Sequence, residues 1–125
     1  MAGEVHPGVR ESAMLDGVSA QLEHYMDLLS ARQKLVAANI ANADTPGYKT
    51  KDLDFDAEMR SAMGGAPRAI EAPGLTVKND GNNVSLDREA RLLSENALRF
   101  QIATGLMRTE IQVTRMAIDG GQQST

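Results

Sequence analysis

The sequence predicts a mainly α-helical protein. Two long helices, one toward each end of the chain, are expected to pair as an antiparallel coiled-coil-like hairpin around a short irregular middle segment that contains a small β-hairpin. Three observations carry this expectation. Apolar residues recur at helical spacing over residues 15–43, they recur without a break over 86–118, and the stretch between is rich in residues that turn or end a chain.

Residues 1–14, with Pro7, two glycines and mixed charge ahead of the first stripe, are expected to form a flexible tail. They hold no apolar segment of a cleavable secretory signal. The first helix, over 15–43, is amphipathic through Leu15, Val18, Leu22, Tyr25 or Met26, Leu29, Val36, Ile40 and Ala43. Its other face, with Glu23, Asp27, Arg32 and Lys34, is expected to be solvated. Ser12, Asp16 and Ser19 each suit the helix start, and Gly17 weakens its first turns. The helix end is written more firmly, in the run Asn39-Ile40-Ala41-Asn42-Ala43-Asp44-Thr45-Pro46-Gly47-Tyr48. Asn42 and Asp44 offer side-chain oxygens that compete with backbone bonding. Pro46 fixes φ and disfavours α geometry at Thr45, while Gly47 takes positive φ, so residues 45–48 read as a type II turn with Tyr48 facing back toward the helix end.

The middle segment, 44–85, is irregular. Residues 49–55 alternate, with Leu53 and Phe55 on one side, as a brief extended segment does. Asp54 or Asp56 then caps a short helix reaching about Met63, and residues 64–73 read as a flexible loop. Leu75-Thr76-Val77 and Asn83-Val84, around a turn at Asp80-Gly81, are expected to form the β-hairpin.

The second helix, 86–118, has Ser85 as N-cap and Asp87 and Glu89 in its positive first turn. Leu86, Ala90, Leu93, Ala97, Phe100, Thr104, Met107, Ile111, Thr114 and Ile118 alternate steps of four and three, the seam of a coiled coil. Gly120 and Gly121 are expected to end it, leaving 119–125 as a second flexible tail. The predicted assembly seam is therefore Leu22, Leu29, Val36 and Ile40 on the first helix with Leu86, Leu93, Phe100, Met107, Ile111 and Ile118 on the second. Leu92, Leu98, Ile102, Leu106, Val113 and Met116 lie off that seam, and a helix apolar on several sides expects to be surrounded.

Composition narrows the function. A net charge of −4, with no basic tract, gives nucleic-acid binding no electrostatic support. No apolar run approaches the ~18 residues of a membrane span, so direct membrane insertion is not expected. The absence of Cys removes disulfides and thiolate metal sites. Two Phe, two Tyr and no Trp make a poor globular core, and seven Met suit packing against neighbours as well as packing within one chain. The free chain is accordingly expected to be largely disordered at both helical ends and to become helical on assembly.

No catalytic, cofactor-binding or metal-binding residue is assigned. The run Asp52, Asp54, Asp56, Glu58 lacks the Gly and the bidentate Glu of a calcium loop, with Ala57 and Met63 in their places, and reads as a solvated acidic edge. His6 and His24 are isolated, the Gly-Gly pairs lack a following Lys-Ser/Thr, and no Ser or Thr has a His and acid around it, so no enzyme is expected.

The order Asn39, Ile40, Ala41, Asn42, Thr45, Pro46, Gly47, Tyr48 resembles the signature near the N-terminus of flagellar basal-body rod proteins, whose pattern is Asn-Ile-Ala-Asn, a short spacer, Thr, a Gly and an aromatic. Asp52-Leu53-Asp54-Phe55, Asp80-Gly81-Asn82, Leu86-Asp87-Arg88-Glu89 and Ser94 to Phe100 are similar to the proximal-rod branch of that family, and the likeness runs from about Leu22 to Ile118. Sister rod subunits tend to carry a longer spacer inside the motif. The resemblance implies a structural subunit that polymerises through its terminal helices into the torque-transmitting rod around the export channel. It also implies partners among other copies of the chain, other rod and basal-body proteins and the flagellar type III export apparatus, a periplasmic place in the basal body, and export without a cleaved signal peptide. Phe55 and Met59, four apart on one helical face, are first a packing pair, and they also resemble the short Phe-x-x-x-apolar element by which early export substrates are recognised. The alternative from another class is an export chaperone or helical adaptor of the same system.

Overall fold

The computed structural model describes residues 7–61 and 65–123. Helix α1 spans Pro7–Ala41, strand β1 Lys51–Leu53, helix α2 Phe55–Arg60, strand β2 Ala69–Glu71 and helix α3 Leu86–Gln123. At ~1.5 Å per residue the long helices measure about 50 to 57 Å. They lie antiparallel: Ser19 donates to Glu110, Asn96 to the Leu29 carbonyl and Asn39 to Glu89, so positions rise along α1 as they fall along α3.

Both helices outrun their expected bounds. α1 is helical from Pro7, inside the expected tail, because proline's fixed φ suits a first helical residue whose N–H would have no partner. α3 continues through Gly120 and Gly121, neither of which takes the positive φ of a helix-ending glycine. Glycine costs a helix about 1 kcal/mol without forbidding it. Residues 1–6 and 124–125 of the expected tails, and Met63 at the expected end of the short helix, lie outside the described residues.

The small antiparallel sheet is present in the middle segment, formed by other residues than expected. β1 pairs with β2 in the register Lys51 with Glu71, Asp52 with Ile70 and Leu53 with Ala69. The extended reading of 49–55 thus found its partner within 64–73, read from sequence as a loop. Residues 75–77 and 83–84 do not pair. The Asn83 N–H instead reaches the Tyr48 carbonyl (3.2 Å), and the Asn83 side chain accepts from the Thr50 N–H (2.6 Å), so Tyr48 and Thr50 take the bonds a local hairpin would have used. The turn itself survives, with the Gly81 N–H on the Lys78 carbonyl (2.9 Å) and Gly81 at φ +88.

Among the described residues the buried apolar ones are Leu28, Leu29, Val36, Leu53, Ala72, Val84 and Ala103, a small core where α1 meets the sheet and the first half of α3. On α3 the buried line is Glu89, Asn96, Ala103 and Glu110, successive members one heptad apart. This corrects the predicted pairing within the chain. Leu29 and Val36 are buried as expected and Leu22 is half-buried, but Ile40 is exposed. Leu86, Leu93, Phe100, Ile111 and Ile118 are 40–56% exposed, and Met107 alone of the α3 set is half-buried. Helical period shows that a stripe exists and not which neighbour takes it. The choice is made at the start of α3, where Arg88 and Glu89 are tied to β1 and α1 and turn Leu86 and Leu93 outward.

Candidate functional site: a polar hub at the helix junction

The family-like run closes α1 as its chemistry requires. Asn42 donates from its side chain to the Ala38 carbonyl (2.8 Å) and accepts from the Thr45 hydroxyl (3.0 Å), ending the helix with local bonds. Residues 45–48 form the expected turn, with the Tyr48 N–H on the Thr45 carbonyl (3.2 Å) and Gly47 at φ +75. Tyr48 does face back: its hydroxyl donates to Asn39 Oδ1 at 3.0 Å.

Asn39, fully buried, is the centre of the arrangement. Its Oδ1 also accepts from the Lys51 N–H (3.0 Å), and its Nδ2 donates to the Lys51 carbonyl (2.8 Å) and to Glu89 Oε2 (3.2 Å). One amide thereby stands in for a strand partner of Lys51 while joining α1 to α3. Ile40, Ala41, Thr45, Pro46 and Gly47 lie exposed around it.

Asn82 performs the matching task from the far side. Buried, it donates to the Asn42 (2.9 Å) and Thr45 (2.8 Å) carbonyls, which satisfies the open end of α1, and accepts from the Val84 N–H (2.8 Å). The Gly47 N–H meets the Asp80 carbonyl at 2.9 Å, and Lys49 donates to the Gly81 carbonyl. Gly81 is needed twice, for its positive φ and because a Cβ there would stand 3.3 Å from the Gly47 Cα.

The charged half of the hub is Asp52 between two arginines. Arg32 donates to both carboxylate oxygens at 2.9 Å, and Arg88 donates to Oδ2 at 2.6 Å and to Glu89 Oε1 at 2.7 Å. Two positive and two negative groups are thus closed into a set that spans α1, β1 and α3. Burial disfavours the Asp52 charge, but the Arg32 bonds, the Leu53 N–H and Arg88 outweigh it and hold the carboxyl below its ordinary 3.8. Burial first, and then the negative charge of Glu89, raise the Tyr48 phenol above its ordinary 10.0. The Arg32 guanidinium also lies 5.5 Å from the Phe55 ring centre, and Phe55 meets Tyr25 edge-on at 5.7 Å.

Two sequence expectations are corrected here. Arg32 is not on a solvated face, and the run 52–58 is not a solvated edge. Asp52 is the buried counter-ion, Asp54 caps α2 by accepting from the Ala57 N–H (3.2 Å), Glu58 accepts from the Arg68 N–H (3.1 Å), and Asp56 alone is left exposed without such a task. Arg32, Asp52, Asn82, Asn83, Arg88 and Glu89 were not singled out as site residues. Asp52, Asn82, Arg88 and Glu89 lie in segments similar to the rod family, and Glu89 also opens a heptad through Asn96 and Ala103 to Glu110, whose members are polar or small and so carry no apolar signal. Phe55 and Met59 are both half-buried.

What fold and hub define together is a structural helix-hairpin module, with side chains spent on locking an angle between two long helices. The sequence profile of the family described as Flagella basal body rod protein matches residues 26–49, from mid-α1 through the helix-end turn. Flagellar basal body rod protein FlgB of Salmonella typhimurium is 30% identical, over 86% of this chain and 99% of that protein. The protein of that name from Cereibacter sphaeroides is 35% identical, over 83% and 93%, and that of Escherichia coli is 29% identical, over 86% and 99%. The chain belongs to the flagellar basal body rod protein family, and its likeness to the members called FlgB covers most of its length.

Proposed function

We propose that the chain is a structural subunit of the proximal rod of the bacterial flagellar basal body, polymerising through its terminal helices into the torque-transmitting shaft around the export channel. The observation that carries this reading is the row Leu86, Leu93, Phe100, Ile111 and Ile118, which α1 leaves uncovered along most of α3. With Leu98, Ile102, Leu106, Val113 and Met116 also exposed, α3 is apolar on faces that one chain cannot cover. The polar hub supports the same reading, since a subunit that transmits torque needs a fixed exit angle for its middle segment. The assembly seam of the rod then uses the α3 residues named above together with Leu22 and Ile40. The partners are other copies, other rod and basal-body proteins and the type III export apparatus, through which the chain passes without a cleaved signal. Among the described residues, no helix is long and apolar enough to cross a membrane.

The test is the composition of isolated basal bodies. Cells producing a tagged chain should carry it in the rod fraction, and cells lacking it should build no rod. Rods that assemble normally without the chain overturn the reading. A defined dimer that binds an export substrate and never enters the rod would mark an export chaperone or helical adaptor instead. Recognition by the export gate is assigned to Phe55 and Met59; since the fold engages Phe55 against Tyr25 and Arg32, it applies to the chain before folding. Unchanged secretion of the Phe55→Ala/Met59→Ala chain removes that assignment.

A further inference from the structure

The two helices carry, level with one another, charges that a single chain leaves apart. The bonds from Ser19 to Glu110 and from Asn96 to the Leu29 carbonyl set the antiparallel register. In that register Asp16 and Glu23 of α1 stand within about one helical turn of the levels of Arg115 and Arg108 of α3, in matching order. All four side chains are exposed. Asp16 and Glu23 are one heptad apart, as are Arg108 and Arg115. Over 16–27 every exposed charge of α1 is acidic, and over 97–118 every exposed charge of α3 is basic, the one acid there, Glu110, being buried. The ion pairs among the described residues all lie at the hub and join Asp52 and Glu89 to Arg32 and Arg88, so none of the four charges is bridged to another described side chain. Ile111 and Ile118 are exposed on the face of α3 adjoining Arg108 and Arg115.

We propose that copies of the chain stand side by side at equal height, α3 of one against α1 of the next. Arg108 and Arg115 then meet Asp16 and Glu23, and the contact covers Ile111 and Ile118 beside the arginines. This rests on the assembling-subunit reading and adds which helix meets which, and in what register. A second copy is the occupant because this chain itself carries the complementary charges, at the matching levels and in the matching order. The contact uses a different helix on each side, so it is heterologous and leaves every copy with a free edge for the next. Exposed ion pairs are individually weak, so the rows mainly select register and exclude slipped pairings, while apolar burial supplies strength.

The chain has no cysteine of its own, which permits a direct test. Cells producing Glu23→Cys and Arg108→Cys chains together should yield, on oxidation of isolated basal bodies, a disulfide dimer of the two different variants in excess over either like pair. Separately, Arg108→Glu/Arg115→Glu and Asp16→Arg/Glu23→Arg should each lower the chain's content in basal bodies by about tenfold, and the chain carrying all four changes should recover to within about twofold. Circular dichroism of each variant checks that the hairpin is intact. A parent chain that enters basal bodies, with no mixed dimer and no recovery in the fourfold variant, overturns this pairing and leaves the assembly reading standing. A parent chain absent from basal bodies overturns both.

Discussion

Replacing Asn39 with Ala removes four hydrogen bonds at once, to the Lys51 N–H and carbonyl, the Tyr48 hydroxyl and Glu89 Oε2. The neutral bonds contribute about 0.5–1.5 kcal/mol each, and the bond to the carboxylate about 1.5–3. Glu89 is fully buried and keeps Arg88 as a partner, so part of its loss is retained as an unmet acceptor rather than recovered by water. Lys51 is exposed and recovers some of its bonding from solvent. The expected net cost is about 3–5 kcal/mol, a large share of the ~5–15 kcal/mol that holds a domain together. With a urea slope of about 1–3 kcal/mol/M, that moves the midpoint down by more than ~1 M at an unchanged slope. Asn42→Ala is the matched control. It stands three residues along the same motif and its side chain bonds only to Ala38 and Thr45 nearby, so its cost is below about 1.5 kcal/mol. Urea titrations of both variants followed by circular dichroism decide the matter. Equal costs would refute the reasoning, because they would mean that helix ending, and not the tie between α1, β1 and α3, is what the motif contributes.

Asp52→Asn leaves two arginines facing a neutral group and should cost about 3–5 kcal/mol at neutral pH, read as a fall in Tm. Because the Asp52 carboxyl is held below 3.8, its contribution is complete above that value and lost as pH falls through the lowered native one, so the parent's acid unfolding should flatten in this variant. Tyr48→Phe should cost about 0.5–1.5 kcal/mol, and the parent's advantage should persist up to pH 10 and vanish as pH rises through the raised native value. Gly81→Ala should cost about 1–3 kcal/mol through positive φ and the 3.3 Å approach to Gly47, more than Gly74→Ala, where φ is +76 but nothing stands within 4 Å. Glu110→Leu should raise the urea midpoint, because Glu110 Oε2 is buried without a hydrogen-bond partner and an apolar side chain removes that cost.

What the sequence determined by itself was local. The turn at 45–48 needs Pro46 and Gly47, the direction of Tyr48 follows from that turn, and the cap of α2 needs Asp54 within three residues of its donor. The existence of two long helices was equally legible, since a period can be read without knowing its partner. Residues far apart in the chain decided the rest. Asp52 looked like one acid in a run until Arg32 and Arg88 converged on it, and Asn83 looked like a hairpin strand until Thr50 took its side chain. The face of α3 that meets α1 was settled in the same way. Its apolar seam was the stronger signal, yet the bonds from Arg88 and Glu89 to β1 and α1 orient the helix from its first turn and bring the polar line 89, 96 and 110 inward. Directional hydrogen bonds fix a rotation that hydrophobic burial, which has no direction, leaves open.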